Sequence, residues 1–283
     1  MYESYKMKNI KIGIMQGRLS PAKPKLIQFF PSKTWDKEFY LANKLGLKHI
    51  EWTLDYKNLK QNPLLQKNLR NKIKNLCKKY NIKIKTVTCD CFMHKPFWKI
   101  KNNRKYLSDF RLVVEASAKI GIKFIILPLV DNGSIKTNSH IKKTIKIFNK
   151  EIKIIKKNNV KILFESDFEP AVLKKFIENF NSKYFGINYD TGNSAGLGYN
   201  INDEFEHYGK YIDNIHIKDK KFKGKTIRLG KGNADFENLK KNIKKIKYNG
   251  LFILQAARSR IKKDYNEAKI NLKFLKKSLV NNG

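Results

Sequence analysis

Two carboxylates and one imidazole stand where short apolar runs end. Glu165 closes Val160-Lys-Ile-Leu-Phe, Asp190 closes Tyr184-Phe-Gly-Ile-Asn-Tyr, and His216 lies between Ile215 and Ile217, on the face opposite theirs if the segment is a strand. A charge at the tip of an apolar strand is costly unless something compensates it. If the three segments are strands of one parallel sheet, the three groups point into one mouth, where two carboxylates would repel and the imidazole would be stranded. One divalent cation resolves all three. Oxygen-rich ligation with a single imidazole suits Mn²⁺, Mg²⁺ or Co²⁺ better than a closed zinc site, with Zn²⁺ as the remaining candidate. Singly, each residue has a plainer reading, as a hydrogen-bonded core histidine or an acid capping the next helix. Their joint register at successive strand ends is what points to a metal.

The elements that must carry these groups follow from periodicity. Strands are expected at Ile10–Met15, His49–Thr53, Lys83–Thr88, Phe124–Leu129, Lys161–Glu165, Phe185–Tyr189, Asn214–Lys218 and Leu251–Gln255, rich in Ile, Val and Phe as strands buried on both faces are. Between them run helical stripes, among them Trp35, Phe39, Ala42 and Leu45; Leu65, Leu69, Ile73, Leu76 and Tyr80; and Ile141, Ile145, Phe148, Ile152 and Ile155. Pro63 and Pro170 mark first helical turns. Ala42-Asn-Lys-Leu-Gly-Leu-Lys-His-Ile echoes Ala118-Lys-Ile-Gly-Ile-Lys-Phe-Ile, a helix stopped by glycine and turned into a strand. Eight strand–helix units in 283 residues, with no linker dividing them, predict one domain over 1–283: an α/β fold, the (β/α)₈ TIM barrel, with a parallel eight-stranded closed sheet and outer helices. No G-x-G-x-x-G follows the first strand to favour an open dinucleotide-binding sheet.

Barrel active sites lie at the C-terminal strand ends. We therefore expect Gln16, Arg18, Glu51, Asp90, Asn193, Lys218 and Arg258 to bind substrate there, with His94 close enough to act in proton transfer. Arg228, Arg258, Arg260 and Lys218 follow the last two strands, where barrels commonly hold phosphate, so an anionic sugar is a candidate substrate. Glu51-Trp52 and Trp98 could wall the sugar's CH faces, although tryptophans packed between helices are the simpler account.

The formal net charge of +37 invites a nucleic-acid reading. Only seven of the 61 basic residues are arginine, however, and the lysines are spread over every expected helix, so a solvated lysine surface is the better account and no specific nucleic acid is expected. No apolar run is long enough to span a bilayer, and the first residues lack the apolar core of a signal peptide. Cys77, Cys89 and Cys91 form no disulfide framework or zinc-ribbon spacing, consistent with a reducing cytoplasm.

Nearly the whole chain resembles the xylose isomerase-like barrels, the sugar phosphate isomerase/epimerase superfamily. The resemblance is carried by Lys11-Ile-Gly-Ile-Met-Gln-Gly-Arg18, Leu45-Gly-Leu-Lys-His-Ile-Glu-Trp52, Tyr189-Asp-Thr-Gly-Asn193, His216-Ile-Lys-Asp219 and Leu229-Gly-Lys-Gly-Asn-Ala-Asp-Phe236. It implies that Glu165, Asp190 and His216 are metal ligands, that a small sugar or sugar phosphate is the partner, and that homo-oligomers are common. The family's fourth ligand is a glutamate on the eighth strand, where this chain has Gln255. An amide can still coordinate through its carbonyl oxygen, but it cannot take a proton from carbon. The family's epimerases use two glutamates on opposite faces of the substrate carbon, so here Glu165 would be the single strong base. That suits an isomerase or epimerase working through an enediolate, with His94, Asp90 or Lys218 as any opposite acid. A dehydratase and a non-catalytic sugar-binding barrel are the alternatives. An apurinic-site endonuclease, which needs three zinc ions, is disfavoured by a total of five histidines.

Overall fold

A computed structural model describes residues 10–21, 28–259 and 263–280; Arg260 lies outside them. Eight parallel strands close into a barrel: β1 (Lys11–Met15), β2 (His49–Thr53), β3 (Thr86–Thr88), β4 (Phe124–Leu129), β5 (Lys161–Ser166), β6 (Phe185–Asp190), β7 (Ile212–Ile217) and β10 (Leu251–Leu254). Going round the ring the order is β1-β10-β7-β6-β5-β4-β3-β2, the (β/α)₈ topology, with helices outside. Two short strands, β8 (Asp219–Lys220) and β9 (Thr226–Ile227), form an antiparallel hairpin after β7 that the apolar periodicity does not announce.

Alternation sorts each strand into an outer and an inner set. Outward residues such as Trp52, Val87, Leu127, Phe164, Ile187 and Ile215 join the helices in one large apolar cluster. Within it Phe148 meets the rings of Phe97, Trp98, Phe110, Phe164 and Phe185 at 5.2–6.4 Å. Both tryptophans considered for the sugar wall are packed here with no exposure, Trp52 Nε1 donating to Asn62 Oδ1 and Trp98 Nε1 to the Gly133 carbonyl. Inside the ring, Met15, Leu251 and Ile253 make a separate apolar cluster. The remaining interior is largely polar, with Glu51, Thr88, Asn188, Asn214 and His216 all buried.

Boundaries shift by a few residues from those expected. The third strand begins at Thr86, although Lys83 makes one isolated bridge to His49. The seventh begins at Ile212 and ends before Lys218. Pro170 starts a helix (Pro170–Ile177), but Pro63 does not, because Asn62 turns its side chain inward to Trp52 and the next helix begins at Lys67. Gly46 and Gly121 end their helices with positive φ, as the internal echo implies.

Candidate functional site

Register places the triad. Asp190 on β6 pairs with His216 on β7, and His216 pairs with Ile253 on β10. Glu165 lies one strand further round, on β5. Glu165, Asp190 and His216 are all buried, and each offers one ligand atom within 4.8 Å of the other two.

The imidazole is oriented from below by a carboxylate. His216 Nε2 stands 2.8 Å from Glu51 Oε1. Glu51 has no exposure and also accepts from Thr88 Oγ1 at 2.7 Å and Asn214 Nδ2 at 3.3 Å. A proton on Nε2 satisfies that contact and leaves the Nδ1 lone pair facing Glu165 Oε2 at 3.1 Å, with no hydrogen bond to it. Two lone pairs at that distance need a cation between them. Burial by itself would lower the His216 pKa, but the Glu51 and Glu165 carboxylates outweigh it and raise it to about 10. A proton is therefore one such cation. A divalent ion fits equally well, since neighbouring ligands each about 2.1 Å from an octahedral centre stand about 3 Å apart. A carboxylate behind a ligating imidazole is the usual way its tautomer is set.

Asp190 serves two roles. Its Oδ1 accepts from the backbone of Gly192 at 2.9 Å and Asn193 at 2.8 Å, capping the helix Thr191–Leu197. Its Oδ2 turns to the mouth, 2.7 Å from Lys218 Nζ. Glu165 is held by two amides, Asn188 Nδ2 on Oε2 and Asn193 Nδ2 on Oε1, both at 2.8 Å. Gln255 follows directly on β10, its backbone N–H donating to the Ile217 carbonyl, and its Oε1 is buried without a hydrogen-bond partner. The orphaned His216 Nδ1 beside the Glu165 and Asp190 carboxylates forms a donor set that fits a divalent ion.

The other residues expected at the mouth divide sharply. Asp90 is buried at the end of β3, its carboxyl raised to about 7 by burial and by the Asp55 and Glu165 carboxylates. His94 is exposed, and its backbone carbonyl accepts from Asn132 Nδ2. Glu51 is not at the substrate face: it is wholly enclosed, with three partners on two other strands, Thr88 on β3 and Asn214 and His216 on β7. Asn193 reaches Glu165, so it positions that carboxylate. Gln16 is buried at 1% exposure and ties β1 to β2 through the Thr53 and Glu51 backbones. Arg18, with its pKa lowered to about 9 by burial and by Arg258, reaches the Gln255 carbonyl. Arg258 lies 4.5 Å over the Phe29 ring and donates to the carbonyls of Gly17 and Ser20. Arg228 forms a two-pronged pair with Glu267.

Residue-type reasoning missed several supports. Asn188 and Asn214 lie two residues before Asp190 and His216, on the same inner face, and the two-residue spacing was a readable signal. Asp219 clamps the β8–β9 hairpin by accepting from the backbones of Gly230, Gly232 and Ala234, which only long-range proximity reveals. Glu38, 2% exposed on the helix Lys37–Lys44, accepts from Gly17 N at 2.8 Å and Leu19 N at 3.0 Å and so holds the turn after β1. That turn needs glycine: Gly17 has φ +91°, and a Cβ there would meet the Phe29 carbonyl oxygen at 2.4 Å.

Glu38 yields a pH prediction. Burial outweighs its backbone donors and raises its pKa from 4.5 to about 7. Across that window the folded protein keeps a proton that the unfolded chain has lost, so this group's contribution to stability declines as pH rises and levels off above about 7. Relative to Glu38→Gln, wild type should lose up to about 3 kcal/mol between those limits, measured by urea unfolding at successive pH values. Parallel profiles would refute the assignment.

Comparison with known proteins agrees with this fold. The profile of the family described as xylose isomerase-like TIM barrel matches residues 39–278. A Haemophilus influenzae protein assigned the name L-ribulose-5-phosphate 3-epimerase SgbU is 25% identical over 268 residues, covering 88% of this chain and 89% of that one. A D-psicose 3-epimerase crystallised in the presence of D-fructose superposes with a TM-score of 0.76 at 15% identity, over 96% of this chain and 100% of that one. The IOLI protein, crystallised with a bound zinc atom, gives 0.73 at 17% identity, over 96% and 98%. No helix among the described residues is long and apolar enough to cross a membrane.

Proposed function

This chain belongs to the xylose isomerase-like TIM barrel family, and from that premise we propose that it is a divalent-metal-dependent sugar or sugar-phosphate isomerase or epimerase, with Glu165 as the base. The observation that carries the reading is the convergence of Glu165, Asp190 and His216 at the C-terminal strand ends, their ligand atoms within 4.8 Å of one another. The epimerase names of the relatives support the substrate class. The zinc bound in a neighbour of the same fold supports a bound metal, with Mn²⁺, Mg²⁺ and Co²⁺ favoured by the oxygen-rich donors.

Glu165, Asp190, His216 and Gln255 would hold the ion. When bound it supplies positive charge that stabilises the oxyanion developing on a chelated substrate. Glu165, oriented by Asn188 and Asn193, takes the proton from the carbon next to the substrate carbonyl. The C–H electron pair moves into the new carbon–carbon double bond and the carbonyl π pair onto oxygen, giving an enediolate. Returning a proton from Glu165 to the former carbonyl carbon, while the hydroxyl proton on the adjacent carbon passes to the former carbonyl oxygen and the new carbonyl forms there, completes an isomerisation with one carbon base. Epimerisation requires a proton from the other face, where Gln255 cannot give and take one as a glutamate would. Asp90, a buried carboxyl held near 7 beside the Glu165 charge, is the group best suited to do so.

The test is deuterium wash-in from D₂O into ketoses and ketose phosphates with added Mn²⁺. Exchange at the carbon next to the carbonyl is expected. Intact Mn²⁺ binding without exchange into any sugar would indicate a non-catalytic barrel. Gln255→Glu should restore a second base and raise epimerised over isomerised product about tenfold or more. An unchanged product ratio would show that residue 255 does not face the reacting carbon.

A further inference from the structure

The opposite end of the barrel carries a second concavity that the chemistry above does not use. A cavity of about 800 Å³ opens among the first residues of β1, β2, β4, β7 and β10 and the loops leading into them. Its walls include Phe124, Ile212, Ile246, Tyr248 and Leu251. Around them stand Lys48, Lys83, Lys85, Lys123, Lys210 and Lys247, and none of these lysines has a carboxylate ion pair among the described residues. Lys11, also lining the cavity, is bound to Asn249. Among the described residues the one lining carboxylate is Asp213, engaged by Lys161 at 2.7 Å.

We propose that this N-terminal mouth of the barrel binds a small polyphosphate anion. Lysines in the last turn of a helix answer the helix dipole, but Lys83, Lys85 and Lys123 stand at strand entries, where that account does not reach. Cations clustered round one cavity with no ion-paired carboxylate among the described residues repel one another, and an anion carrying several charges relieves them together. Lysines act as point charges on flexible stems, which suits phosphates that need no fixed fork geometry. The cavity volume falls in the range of small-ligand pockets, and its concave shape admits a compact anion instead of a duplex. His49, lining the same cavity, has a buried Nδ1 with no hydrogen-bond partner. Burial and the charges of Lys83, Lys11 and Lys85 lower its pKa to about 4, a local report of the positive potential.

Two sources of this ligand chemistry are distinguishable. Inorganic polyphosphate needs only the lysines, whereas a nucleoside triphosphate would also lay its base against the apolar wall. Calorimetric titration with tripolyphosphate and with ATP, in EDTA and at about 0.15 M salt so that diffuse attraction is screened, should give saturable 1:1 binding. Orthophosphate should bind more than tenfold more weakly. ATP at least threefold tighter than tripolyphosphate indicates that the wall is used; equal affinities indicate an inorganic ligand. The Lys83→Gln/Lys85→Gln/Lys123→Gln variant should lose at least tenfold in affinity, and the His49 ring signals should move in NMR titrations of wild type. Lys67→Gln/Lys74→Gln/Lys119→Gln, an equal charge loss on another face, should stay within twofold. No saturable binding, binding that persists in the first variant, or equal loss in both variants would overturn the proposal.

Discussion

Replacing Glu165 with glutamine should reduce deuterium wash-in by about 10³-fold or more, since a general base alone contributes roughly 10²–10⁴ in rate. Glutamine keeps the side chain's length, so the loss reports the charge and the proton-accepting oxygens. The substitution also leaves an NH₂ facing one of the amide donors, Asn188 or Asn193, which now bracket the carboxylate at 2.8 Å. Glu165→Asp separates the two effects. It retains a base but withdraws it by about one methylene, and should keep measurable exchange while lowering kcat more than it alters KM. Melting temperature and Mn²⁺ titration on the same samples identify any unfolding or metal loss. Wash-in within tenfold of wild type for Glu165→Gln would remove this residue from the reaction.

Glu51→Gln should weaken Mn²⁺ binding by about 10- to 100-fold, the usual consequence of disturbing the group behind a ligating histidine. Glu51 has no exposure, and its carboxylate receives Thr88, Asn214 and His216. An amide at this position can still accept from some of them, but it no longer favours the Nε2–H tautomer that turns the Nδ1 lone pair towards Glu165 and Asp190. The buried hydrogen bonds make a stability loss of about 1–3 kcal/mol the accompanying cost. Calorimetric Mn²⁺ titration beside urea unfolding distinguishes the two roles. Lower stability with unchanged metal affinity would make Glu51 a structural residue only.

The barrel was legible because parallel strands buried on both faces must be apolar runs, and the helices between them must carry 3.6-residue stripes. Local composition records both. The β8–β9 hairpin escaped because its two-residue strands have no periodicity; Asp219 secures it through backbone groups 11 to 15 residues away in sequence. The same limit governed the mouth. Glu51, Arg258 and Gln16 are polar residues at strand ends, as a substrate site demands, yet each is turned to a partner beyond its own segment.

By itself the sequence determined which residues lie at strand ends, and therefore that Glu165, Asp190 and His216 could meet, because strand alternation and parallel order fix direction and level. Only the tertiary structure decided which polar groups face the open mouth and which support it. That choice depends on partners brought together across the ring, as when Glu51 accepts from His216 across 165 residues of chain. Local patterns carry information over a few residues, whereas the hydrogen bonds that make a buried charge tolerable are closed by the fold.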